Sequence, residues 1–161
     1  MNKDRMIDVS KFRIGNYVIS RGEITKIIGI RTDTDEPTYL CENCDVWLPV
    51  VEGIRLNLEI LKYNRFGMSD DKSYGILRTT FNPFGEHGIK EFEDYIIIDL
   101  KMPQSCLVKH QYLQYHEGFK PSLICRKYEG EIIYFHELQN IMSVCENKVE
   151  IKIDPNMKIQ Q

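Results

Sequence analysis

Phe92-Glu93-Asp94-Tyr95-Ile96-Ile97-Ile98-Asp99-Leu100 packs aromatic and β-branched residues into nine positions and reads as a strand. Three further runs read the same way, 74–81, 106–115 and 122–128, with turn signals at Asn82-Pro83, Gly85, Gly88, Pro103 and Gly118 between them. Four strands in succession, with no helical pattern between them, imply an antiparallel sheet. The strand-turn-helix of a phosphate-binding loop is missing, as is a βαβ repeat, which weakens any nucleotide-enzyme reading.

Upstream, residues 12–20 alternate as a strand, Arg21-Gly22 reads as a tight turn, and residues 23–30 continue as a second strand, so 12–30 is expected to form a hairpin. Asp33 to Pro37 is a polar loop. Val46 to Val51 is a candidate third strand, confined to a sheet edge by Pro49. A helix follows, with Asn57 as N-cap, Leu56 and Leu61 as a hydrophobic staple, and Gly67 placed to end it. A second helix over 135–146 sets Phe135, Leu138, Met142 and Cys145 on one stripe, and 149–153 reads as a closing strand. The fold class is therefore α+β, mainly antiparallel β-sheet with two short helices. A length of 161 residues suits a single domain, 1–161. Within it, 12–51 is a β-rich N-terminal subregion, 56–67 the helix, 74–153 sheet plus C-terminal helix, and 154–161 a polar tail.

A hydrophobic fraction of 42% and a charged fraction of 28% exclude the disordered and fibrous classes. The net charge of -3 argues against coating nucleic acid or anionic membrane by bulk electrostatics, but leaves room for a local basic patch. No run approaches the roughly 18 apolar residues of a membrane span, and the start lacks the apolar core of a signal peptide, so a soluble, cytoplasmic protein with no membrane partner is expected.

Five cysteines, Cys41, Cys44, Cys106, Cys125 and Cys145, form an odd set that suits reduced thiols. Cys41-Glu42-Asn43-Cys44 has the spacing of half a zinc site, but no second Cys-x-x-Cys or His pair follows, so no metal and no cofactor are expected.

Two groups of residues invite a functional reading. In Lys109-His110-Gln111-Tyr112-Leu113-Gln114-Tyr115-His116, a strand would set His110, Tyr112, Gln114 and His116 on one face. With Lys109, Lys120, Arg126 and Lys127 nearby and Tyr112, Tyr115, Phe119 and Tyr128 interleaved, the composition is that of a single-stranded nucleic-acid platform, although aromatic-rich strands are more often ordinary exposed sheet. The second group is Tyr134-Phe135-His136-Glu137-Leu138-Gln139-Asn140, where His136 and Asn140 share a helix face. No Ser or Cys nucleophile stands at a recognisable elbow. His136, Gln139 and Asn140 are expected to satisfy backbone groups at a helix start without an evident Ser, Thr or Asp cap, tying it to a neighbouring strand.

Arg13-Ile14-Gly15-Asn16-Tyr17-Val18, then Gly22 and Lys26, a Leu-rich helix ending Phe66-Gly67, and finally Phe135-His136-Glu137-Leu138-Gln139-Asn140 resemble a family of uncharacterised proteins from Bacteroidetes genomes, prophages and mobile elements. The resemblance covers both ends of the chain and implies an accessory protein of phage or mobile-element origin, with Arg13, Gly15, Asn16, His136, Leu138, Gln139 and Asn140 as a structural motif. Two departures are visible: Gly53-Ile54-Arg55-Leu56-Asn57 stands where members carry "PIPLT", and the residues after Asn140 are less aromatic. The N-terminal hairpin also looks like the opening of small SH3-like barrels. The leading expectation is a non-enzymatic accessory or interaction protein with an unknown protein partner. One alternative is a nucleic-acid-binding module using Lys109, His110, Tyr112, Gln114, His116, Arg126 and Lys127; the other is a small hydrolase or transferase with His110, His116 or His136 as base.

Overall fold

A computed structural model of the chain describes residues 8–81, 90–114, 120–143 and 150–158. Its N-terminal sheet has three antiparallel strands in the order β1 (Tyr17–Ser20), β2 (Glu23–Arg31) and β3 (Thr38–Cys41). Ser20 pairs with Glu23, leaving Arg21-Gly22 as a two-residue loop with φ of 54° and 75°. Positive φ at both central positions marks the loop whose twist matches the flanking strands. Just before β1 the chain reverses over Arg13–Asn16: the Asn16 amide donates to the Arg13 carbonyl at 3.1 Å, and Gly15 takes a φ of 95° that favours glycine.

The third strand lies at Thr38–Cys41 rather than at Val46–Val51. The latter segment meets the sheet through isolated bridges, Tyr39 with Leu48 and Glu52 with Ile19. Pro49 has no N–H to offer a ladder, and its ring fixes the backbone between the two bridges. The expected SH3-like closure is likewise not formed, because the three strands make an open sheet.

α1 (Leu58–Tyr63) starts where the Asn57 side chain accepts the Ile60 amide at 2.9 Å. It ends earlier than expected. Arg65, at φ 64°, takes the left-handed position; its amide donates to Lys62 O at 3.0 Å and that of Phe66 to Leu61 O at 3.0 Å. Gly67 belongs instead to the short β4 (Gly67–Met68).

From there the second sheet runs as an antiparallel meander, β4 followed by β5 (Tyr74–Phe81), β6 (Lys90–Asp99), β7 (Ser105–Gln114) and β8 (Lys120–Glu131). Alternation turns Ile96 and Ile98 of β6 and Cys106 and Val108 of β7 toward one core. α2 (Phe135–Met142) covers them with Phe135, Leu138, Ile141 and Met142. Val9, Ile19 and the α1 residues Ile60 and Leu61 join the same cluster. The expected continuation of α2 to Glu146, with Cys145, falls partly outside the described residues. Residues 150–153 form no strand: Ile151 and Ile153 are buried, while the Asn64 side-chain amide donates to Lys152 O and accepts from Lys152 N, each at 2.7 Å. One asparagine thus replaces a neighbouring strand. Among the described residues no helix is long and apolar enough to cross a membrane.

Candidate functional site

The two ends of the sequence motif meet. Residues 9–17 lie along α2, and the polar side chains of the helix hold their backbone. Asn140, 3% exposed, donates from Nδ2 to the carbonyls of Val9 and Lys11, both at 2.9 Å. Its Oδ1 accepts from Asn16 Nδ2 at 3.0 Å. Asn16 Oδ1 in turn accepts the Arg13 amide at 2.7 Å, locking the Gly15 turn. The Gln139 amide accepts from Tyr17 N at 2.9 Å and donates to Gly15 O at 3.2 Å, pairing with the entry to β1 as a strand residue would. These glutamine and asparagine groups satisfy backbone atoms of another segment. The start of α2 itself is served by Glu137, whose Oε1 accepts the amides of Ile133 at 3.1 Å and Tyr134 at 2.9 Å. A glutamate at the third helical position was the readable signal for that cap.

His136 is 2% exposed. Its Nε2 lies 2.9 Å from Ser10 O. A carbonyl can only accept, so Nε2 carries the proton and Nδ1 is a bare lone pair, which finds no partner among the described residues. Burial pushes the imidazole below its ordinary pKa, outweighing the Ser10 carbonyl and Glu137, which favour protonation. The ring packs against Phe12, with centroids 4.2 Å apart, and stacks with Tyr134 at 5.6 Å; Phe12 continues the row edge-on to Tyr39 at 5.6 Å. Beside this row opens a cleft of about 520 Å³ whose lining includes Ser10, Phe12, Gly53, Tyr134 and His136 with the carboxylates Glu52 and Glu137. Gly53 is required there, since a Cβ would sit 2.7 Å from the Tyr134 ring. Base catalysis would need the imidazole to face a nucleophile. The atom that could take a proton, Nδ1, is buried and meets no nucleophile among the described residues, and the Ser10 hydroxyl donates to Asp8 at 2.6 Å.

The residues proposed for a basic and aromatic face separate. His110 turns inward, 8% exposed, with Nδ1 2.7 Å from Oδ1 of buried Asp94. Lys109 points the other way, and its register neighbours are Tyr95 on β6 and Arg126 on β8. Alternation along a strand enforces this split, because adjacent positions serve opposite faces. Tyr112 and Gln114 stand on β7 opposite Leu123 and Lys120, with side chains outside the described set, and His116 lies outside the described residues. Arg126 and Lys127 are exposed. Sequence reasoning missed Arg78 and Tyr95, which become neighbours of this group only through strand register: Arg78, Tyr95, Lys109 and Arg126 are successive cross-strand partners on β5, β6, β7 and β8. The Arg78 guanidinium pairs with the carboxylate of buried Glu93 and lies 5.3 Å from the Tyr95 ring centroid.

Cys41 and Cys44 are buried and unoxidised. Burial, together with Cys44, raises the Cys41 thiol above its ordinary pKa, which suppresses the reactive thiolate. Cys44 Sγ instead accepts the Val46 amide at 3.4 Å. Among the described residues no group of three His, Cys, Asp or Glu is placed to hold a metal ion. No family model, no curated protein and no solved structure matches this chain.

Proposed function

We propose that this protein is a non-enzymatic interaction protein of phage or mobile-element type. One observation carries the reading. The polar side chains His136, Gln139, Asn140 and Asn16 are hydrogen-bonded to one another or to the backbone of residues 9–17, and Glu137 Oε1 is spent on the Ile133 and Tyr134 amides. A catalytic cluster keeps a base poised toward substrate. Here the imidazole lining the cleft donates from Nε2 to a main-chain carbonyl, its bare Nδ1 is buried and meets no donor among the described residues, and burial lowers its pKa. The protein therefore works through its surfaces.

The test is a turnover assay with p-nitrophenyl acetate, butyrate and phosphate on the protein and on His136→Ala and His110→Ala variants. The expected result is equal background release from all three proteins. Saturable turnover that disappears in either variant would replace the interaction reading with the hydrolase one.

A further inference from the structure

We propose that the cleft beside His136 docks an arginine side chain of a partner protein, its alkyl stem along Phe12 and Tyr134 and its guanidinium on the carboxylates of Glu137 and Glu52. The inference rests on the interaction-protein reading and names the chemistry that the partner presents.

The lining sets the polarity of the ligand. Phe12, Val51, Ile133 and Tyr134 give it apolar wall, Glu52 and Glu137 give it two carboxylates, and among the described residues no lysine or arginine lines it. Neither carboxylate takes part in an ion pair among the described residues. The cations nearest in the chain are engaged elsewhere or stand outside. Lys11 and Arg13 act on the carboxylate of exposed Asp8, and the Arg13 guanidinium reaches Asp8 O at 3.4 Å. Arg55 meets Tyr134 through the main chain and is exposed, outside the lining. His136 adds no positive charge, since burial lowers its pKa. The start of α2 contributes roughly half a positive charge, which two carboxylates outweigh.

Glu137 is the prepared part of the site. It is 8% exposed, and both of its hydrogen bonds, from the amides of Ile133 and Tyr134, fall on Oε1. Oε2 accepts from no group among the described residues, and the residue lines the cleft. Two amides thus hold the carboxylate in place while its second oxygen waits for a donor. An anion this deep has lost most of its water, so a cation that brings N–H groups restores what burial removed. The wall is fixed as well, because Gly53 lets the Tyr134 ring lie against the main chain where a Cβ would stand 2.7 Å from it.

Three kinds of cation compete for such a site. A bare metal ion does not suit it, as no three His, Cys, Asp or Glu among the described residues are placed to coordinate one. A guanidinium suits it better than an ammonium: its five N–H donors match charged groups that only accept, and its weaker hydration makes it easier to bury. An arginine within a chain suits it better than a free amine, because the surface continues past the head group. A second cleft of about 550 Å³ shares Ser10 and Phe12 with the first and extends along Ile30, Pro37 and Tyr39, with Lys11 and Asp35 of opposite charge at its rim. Residues flanking the arginine have this cleft to lie in.

A magnetic-resonance titration of the isotope-labelled protein with acetyl-Gly-Gly-Arg-Gly-Gly-amide tests this, beside the same peptide carrying lysine or neutral citrulline, and free agmatine. The arginine peptide is expected to shift the amides of Gly53, Tyr134 and Glu137 saturably. Citrulline should bind about tenfold or more weakly, having lost the charge, and lysine and agmatine about threefold or more weakly. Glu137→Gln keeps an acceptor for the two helix-start amides and removes the charge, so it should weaken the arginine peptide by about tenfold. Glu52→Gln, at an exposed position, should weaken it about two- to fivefold. Circular dichroism melts check the fold, and if Glu137→Gln is unfolded, the surface change Glu52→Lys takes its place and should abolish binding. No shift at about 10 mM peptide, well above the roughly millimolar Kd of one side chain, overturns the inference. So does an equal response to citrulline, lysine or agmatine, or binding untouched by the variants. Those outcomes leave the interaction reading standing, since its own failure is turnover that disappears in His136→Ala or His110→Ala.

Discussion

Replacing Asn140 by alanine removes the hub that joins residues 9–17 to α2. Three hydrogen bonds go at once, to Val9 O, Lys11 O and from Asn16 Nδ2, all at a residue 3% exposed. At about 1 kcal/mol net for each bond, the loss is about 3 kcal/mol, and the Asn16 donor stranded in the interior adds to it. Alanine is the better helix former by roughly 0.5 kcal/mol, which offsets part of that addition. The expected destabilisation is therefore about 3 kcal/mol. In urea, with a slope of about 2 kcal/mol per molar, the midpoint should fall by about 1.5 M. Asn140→Asp separates donors from acceptors. A carboxylate still accepts from Asn16 but turns negative oxygens on the Val9 and Lys11 carbonyls, so this near-isosteric change should destabilise at least as much as alanine above pH 5. A midpoint shift below about 0.5 M for alanine at unchanged slope, or an aspartate variant as stable as the parent, would refute the hub.

Leu138→Ala, at a fully buried core position, should destabilise by about 2 to 5 kcal/mol in the same urea titration. Arg65→Gly should stabilise by roughly 0.5 to 1 kcal/mol, because glycine adopts the φ of 64° that closes α1 without a Cβ penalty; a lower melting temperature would show that the arginine side chain matters more than its backbone. His136 sets a pH dependence. Its folded pKa lies below the ordinary 6.5, so between the two values the unfolded chain holds a proton that the folded chain does not, and stability should fall as pH drops through 6.5. The His136→Gln profile should lack that limb, so the parent-minus-variant difference should fall with pH, and a difference curve flat from pH 7.5 to 5 would contradict the assignment.

Legibility in the sequence followed the range of the interaction. Arg21-Gly22, the Asn57 cap and the last four of the meander's five strands rest on local chemistry, and each is found where the residues place it. The end of α1 was misplaced because a glycine two residues on is the obvious stop, whereas Arg65 adopted the strained conformation and its flanking amides completed the cap. Val46 to Val51 carried apolar content without ladder capacity. The candidate face was harder to read. That Lys109 meets Tyr95 and Arg78, while His110 turns inward to Asp94, depends on a register spanning three hairpins and on a bulge at Lys127 that no residue type announces. The Asn16–Asn140 contact joins positions 124 residues apart: Asn140 reads as a tie from the second helix to a strand, but nothing local names Asn16 as its partner.

That separation also orders events during synthesis. The Arg13–Asn16 turn and the β1–β2 hairpin leave the ribosome early, and a lone hairpin is marginal in water. Their anchors, Gln139 and Asn140, emerge only after α1 and the entire meander have passed the exit tunnel. The N-terminal sheet must therefore wait, with Val9 and Ile19 lacking their place in the core, until α2 arrives to close a loop of more than a hundred residues. Docking the first-made strand is among the final steps of folding, and a nascent chain halted before Tyr134 would expose the backbone amides of Arg13 and Tyr17 to exchange.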